Sequence, residues 1–124
     1  MGKYLGGCEP MPQVSRDHHF LSQGYLAAFT DAGTKEGRLC VLDLIANRFF
    51  RQTPKNVAFE VDFNRIEIEG VAPDALEAAY GQFEDKAITV IRRICNENRL
   101  PRDEDFSYVY NFIALLRIRN PNVR

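Results

Sequence analysis

PDALEAAYGQFEDKAITVIRRI, residues 73–94, decides the architecture. Leu76, Tyr80, Phe83, Ala87, Val90, Ile91 and Ile94 recur at intervals of three and four, the spacing that gathers side chains on one face of an α-helix. Asp74 and Glu77 make a start signal, although Pro73 serves equally well as the first helical residue. Glu77, Glu84 and Asp85 lie early and Arg92 and Arg93 late, as the helix dipole prefers.

Moving outward, Asn96 to Pro101 interrupts the pattern, and a second helix is expected from about Asp103 to Arg119, stopped by Pro121. So short a connection predicts an antiparallel hairpin, with Phe83, Ile91 and Ile94 facing Phe106, Tyr110 and Ile113. The second helix carries apolar residues on more than one face, which marks a helix buried from two sides. Phe112, Leu115, Leu116 and Ile118, with Arg117 and Arg119 among them, are therefore candidate binding residues. Their cover is expected to be the N-terminal segment, a second copy of the chain, or another protein. Arg92, Arg93, Arg99, Arg102, Arg117, Arg119 and Arg124 would also form a basic surface at the end of the two helices. Without interleaved exposed aromatics or a nucleic-acid motif, solvated helix ends are favoured over nucleic-acid binding.

Upstream, Arg65-Ile66-Glu67-Ile68-Glu69 alternates strictly and predicts an edge strand that stops at Gly70. Lys55 to Phe63 reads as a short helical turn or an extended connection. Arg38 to Ile45 and Arg48 to Gln52 read as a β-hairpin turning at Ala46-Asn47, and Asp31 to Gly37 is a loop by composition. Before that loop comes Asp17-His18-His19-Phe20-Leu21-Ser22-Gln23, which holds both histidines of the chain. It reads as an extended dipeptide feeding a short helix, with Ser22 as N-cap and Tyr25, Leu26 and Phe29 on its apolar face.

Arg16 to Phe29 resembles the His-His-aromatic-x-x-Gln-x-Tyr-Leu-x-x-Phe opening of a bacterial family known as domain of unknown function 4238. Leu39-Cys40-Val41-Leu42-Asp43 and the block from Pro54 to Phe63 resemble the segments that follow it there. The sequence departs from the family pattern in Ser22, where Pro is usual, in Gly24, where an aromatic is usual, and in Asn64, where Tyr is usual. Members are usually longer, with a later Ser/Gly-Asp-x-Pro segment. The resemblance implies membership of the family, but no reaction.

The 124 residues suffice for one domain with a single core. An irregular arm is expected over 1–14, a helix plus small sheet over 15–70 and the helical hairpin over 73–120. With 45% hydrophobic residues, 27% charged residues and a net charge of −1, the chain is ordinary globular protein with no global field toward nucleic acid or anionic lipid. Three cysteines, Cys8, Cys40 and Cys95, are odd in number, and the latter two lie in apolar runs, which predicts reduced core thiols. No apolar run suits a membrane span or a signal peptide, so a cytoplasmic protein without membrane contact is expected.

His18 and His19 are the candidates for acid–base or metal chemistry, because imidazole titrates near neutrality. Neighbours on a strand point to opposite faces, so at most one reaches a given site, and further ligands would come from Asp17, Asp43, Glu60 or Asp62. Lys55, Glu60 and Asp62 echo the lysine-plus-carboxylate grouping of metal-dependent nucleases, though a salt-bridged loop accounts for them better. Gln23 is placed to orient a histidine or a ligand. These features predict an α+β domain, a short helix and small antiparallel sheet on two long antiparallel helices. The leading functional expectation is a non-catalytic interaction module, an inhibitor or regulator of a larger complex, needing no cofactor. The alternative is a phosphodiester hydrolase using a divalent metal at His18, His19, Glu60 and Asp62, with Lys55.

Overall fold

The computed structural model describes residues 14–123. The expected arm, apart from Val14, lies outside the described residues, as do Cys8 and Arg124. The elements run β1 (Asp17–His19), α1 (Gln23–Ala27), β2 (Leu39–Asp43), β3 (Arg48–Gln52), a 3-10 turn (Pro54–Asn56), β4 (Phe59–Val61), α2 (Ala75–Asn96) and α3 (Glu104–Ile118). The fold is α+β, with two separate two-stranded antiparallel sheets, β1–β4 and β2–β3, beside a helical hairpin.

The β2–β3 hairpin forms where its sequence predicts it, pairing Leu39 with Gln52 and Asp43 with Arg48. Asp43 closes the turn by accepting the N–H groups of Ile45 (3.0 Å) and Ala46 (2.9 Å) on Oδ1, and Asn47 takes the left-handed conformation (φ 47°) that its short polar side chain tolerates. Leu39 is buried, whereas Leu42, Leu44, Ile45 and Phe49 are exposed along the ribbon and its tip.

The segment Lys55 to Phe63 contains both of its expected alternatives, a helical turn and then a strand. His18 pairs with Glu60 and His19 with Phe59. The edge strand expected at Arg65 to Glu69 does not form. Asp62, at φ 58°, turns the chain away as soon as β4 ends, and Ile66 donates its N–H to the Pro73 carbonyl (3.1 Å) to close a loop. Alternation alone does not make a strand, and this segment pairs with neither sheet.

Ser22 caps α1 as expected, accepting the Tyr25 N–H on Oγ at 3.2 Å. The helix ends at Ala27, however, so Phe29 falls beyond it and is largely exposed. At Gly24 α1 approaches α2 so closely that a Cβ would lie 2.9 Å from Ile88 Cδ1, and a larger residue there would need the end of the Ile88 side chain to move.

Helices α2 and α3 run antiparallel: Arg93 near the end of α2 meets Asp105 at the start of α3, and Glu84 of α2 meets Arg119 just past the end of α3. Phe83 stacks on Tyr108 (6.3 Å, 17°), and Tyr25 of α1 packs against Phe112 (5.6 Å). The expected facing residues are corrected here. α3 turns Asp105, Phe112, Leu115 and Arg119 inward, and it leaves Phe106, Tyr110 and Ile113 42%, 64% and 56% exposed. The buried apolar core is Ala27, Leu39, Ala87, Ile94, Phe112 and Leu115. Cys40 and Cys95, expected inside, are both exposed.

Candidate functional site

His18 is 1% exposed and both of its ring nitrogens are engaged. Nδ1 accepts the Asn64 backbone N–H at 2.8 Å, so the proton resides on Nε2, which donates to the Ser15 carbonyl at 3.0 Å. His19, on the opposite face of β1, donates from Nε2 to the Lys55 carbonyl (3.1 Å) and packs on the Phe59 ring (5.5 Å). Burial pushes the His19 pKa below the ordinary histidine value, against the opposing pull of the Lys55 and Pro54 carbonyls.

The other residues expected beside them are dispersed. Lys55 contributes its carbonyl, and its side chain is exposed. Glu60 is exposed on β4. Asp62 is gripped by Arg16, whose Nη2 lies 2.5 Å away, and the hydrogen bond from that guanidinium holds its carboxyl below the usual range. Asp43 is occupied in the hairpin turn, and Gln23 opens α1 half-buried. Among the described residues, no three histidine, cysteine, aspartate or glutamate side chains come together as a metal site.

A different polar cluster does converge under the histidines. The Asn64 side chain, beside His18, donates from Nδ2 to Glu77 Oε2 (2.7 Å), and the same oxygen lies 3.5 Å from Arg119 Nη2. Arg119 Nη1 donates to Glu84 Oε1 at 2.5 Å, and its guanidinium lies 5.1 Å from the centre of the Tyr80 ring. Arg119 was expected on an exposed binding surface, yet it is fully buried, and among the described residues its Nε and Nη2 have no hydrogen-bond partner. Burial raises the Glu84 pKa to about 7, with the Arg119 charge opposing and the Glu77 charge reinforcing the shift. Glu77, read as a capping residue, is turned into this cluster, and Asp74 makes no side-chain cap. Glu84 had a legible signal, because it sits on the apolar stripe between Tyr80 and Ala87; Arg119 likewise continues the inward row of Phe112 and Leu115.

On α3 the structure sorts the expected binding residues into two groups. Phe112 and Leu115 are buried, at 2% and 6% exposure, so they belong to the core. Leu116 is half-buried, whereas Arg117 and Ile118 are exposed. The exposed apolar surface lies instead along Phe106, Tyr110 and Ile113, where the first two rings stack at 5.8 Å. Next to it runs an apolar groove of about 280 Å³ lined by Tyr25, Ile91, Cys95, Val109, Ile113 and Leu116. Of the expected basic surface, Arg93 and Arg99 are both paired with Asp105, Arg99 also with Glu97, and Arg119 is buried, while Arg92, Arg102 and Arg117 are exposed.

These features define a small α+β domain with a buried ionic centre and one uncovered helix face. The chain belongs to the family described as protein of unknown function (DUF4238), whose model matches residues 17–124. Neither a curated protein nor a solved structure matches the chain significantly. Among the described residues, no helix is long and apolar enough to cross a membrane.

Proposed function

We propose that this domain is a non-catalytic protein-interaction module, acting as an inhibitor or regulator of a larger assembly and docking through the outward face of α3. The observation that carries this reading is the row Phe106, Tyr110 and Ile113, large apolar side chains at helical spacing, exposed on a helix whose opposite face already fills the core. Each such side chain contributes roughly 1.5–3 kcal/mol when it leaves water, so the row has a strong tendency to find cover. The stacked Phe106–Tyr110 pair offers a rigid aromatic anchor of the kind that dominates protein interfaces.

A photo-crosslinking residue in place of Tyr110 tests the proposal. A discrete adduct is expected in extract of the native host, lost when Ile113→Glu is added and not formed from Glu69, outside this face. Equal labelling from both positions, or none from either, would overturn it.

A further inference from the structure

We propose that the chain binds a free straight-chain fatty acid, with its carboxylate on Arg92 and its tail in the apolar groove that passes from α1 across α2 to α3. This goes beyond the interaction reading and does not depend on it. Two hollows make up the groove. The first, of about 490 Å³, is walled by Tyr25, Phe29, Ile88, Ile91 and Arg92. The second, of about 280 Å³, lies between α2 and α3, and Tyr25, Ile91 and Cys95 are walls of both.

Charge is confined to one end. Among the described residues, Arg92 is the only charged side chain that lines the first hollow, and none lines the second. Arg92 is exposed and forms no ion pair among the described residues. Its Nη2 donates to the Gly24 carbonyl at 3.4 Å, a long bond that leaves the rest of the guanidinium fork available. Lys35, equally without an ion pair, brings its Cε to 3.9 Å from where a Cβ on Gly24 would stand, so two cations converge at this rim. Asp85 and Glu36 line the adjoining polar cleft with them, but not the apolar hollow.

The occupant follows from this polarity. A guanidinium fork matches the two oxygens of a carboxylate, and a single lining cation suits a monoanion. Beyond Arg92 and Asn96 the walls are almost wholly apolar, so the rest of the ligand carries no hydrogen-bonding group. Two hollows meeting at a shared wall require a body that is long, thin and flexible, which an alkyl chain is and a ring system is not.

Calorimetry of the full chain with dodecanoate, kept below its micelle concentration, should show binding at one site. Affinity should fall about threefold to fourfold for each methylene removed down to octanoate. Arg92→Gln should weaken dodecanoate about fivefold and leave dodecanol unchanged, which separates loss of the head contact from damage to the groove. Cys95→Trp, made at an exposed helical position, fills the shared wall and should abolish binding of both ligands with the far-ultraviolet helix signal intact. In a chain carrying Cys8→Ser and Cys40→Ser, dodecanoate should slow the reaction of Cys95 with a thiol reagent, and acetate should not. No heat together with no protection of Cys95 would overturn the proposal. So would dodecanol or dodecylammonium binding as tightly as dodecanoate, or dodecyl phosphate binding more tightly.

Discussion

Among the described residues Arg119 hydrogen-bonds Glu84 alone and has Glu77 as a further ion-pair partner at 3.5 Å, yet it is completely buried, and its Nε and Nη2 have no hydrogen-bond partner there. Removing a partner from such a pair strands a charge in the interior, whereas removing both relieves two desolvation costs together. Arg119→Met and Glu84→Met should each destabilise the fold by about 3–5 kcal/mol in denaturant melts, and the double variant should cost less than either. Additive losses would show that the two do not act as a pair. Acid titration offers a second reading of the same centre, where the Glu84 carboxyl meets the charges of Glu77 and Asp85 on its own helix and of Arg119 beyond α3. Because the folded pKa of Glu84 is about 7, above the unfolded value of 4.5, its contribution is full below pH 4.5 and is lost as the pH rises to 7. His19 acts oppositely: its folded pKa lies below 6.5, so its contribution is present above that pH and declines on acidification. Thermal melts of Glu84→Gln should therefore lose the decline between pH 4.5 and 7, and His19→Gln should lose part of the weakening below pH 6.5. Unchanged pH profiles in both would count against these assignments.

At the scale of the element, α3 divides its apolar residues between two faces with different work. Phe112→Ala should cost about 3–5 kcal/mol, while Phe106→Ala should change the stability of the monomer by no more than about 0.5 kcal/mol. Comparable losses would mean that the inward face has been misassigned. The sequence makes the existence of α2 and α3 plain, because a periodic pattern of that length has few readings, and Ser22 and the hairpin turn were legible from local chemistry. Which side of α3 turns inward was not legible. Apolar residues surround the helix, and the deciding contacts come from polar partners, Asp105 with Arg93 and Arg119 with Glu84, that no apolar pattern contains. The missing strand at Arg65 to Glu69 has a similar cause. Alternation describes the segment, but a strand also needs a pairing partner, and the turn at Asp62 leads the chain out of β4 into a loop closed by Ile66 and Pro73.

Across the whole molecule, Asn64 bonds His18 of β1 through its backbone and Glu77 of α2 through its side chain, and so ties the β1–β4 ribbon to the helical hairpin. The Asn64–Glu77 hydrogen bond is the link that single substitution removes most cleanly, because Asn64 keeps its backbone N–H to His18. Asn64→Ala should lower stability by about 1–3 kcal/mol through the unsatisfied Glu77 carboxylate. Amide exchange should rise first in Asp17–His19 and Phe59–Val61, and a uniform rise over α2 and α3 would argue against a separable ribbon. The histidines drew functional attention in the sequence because of their chemistry; in the fold their ring nitrogens serve the backbone, a role to which composition gives no clue.

The position of Arg119 in the chain bears on how the protein is made. Glu77 and Glu84 leave the ribosome well before Arg119, which among the described residues is the cation paired with both, and which arrives just after α3. Until then the carboxylates of a nascent α2 have every reason to stay in water, and the helix lacks the counter-charge that would let this face close over them. The ordering of synthesis thus postpones the sealing of this interior until Arg119 has been made, so a chain interrupted before Arg119 should remain open, helical in part but recognisable to the quality-control proteases as unfinished.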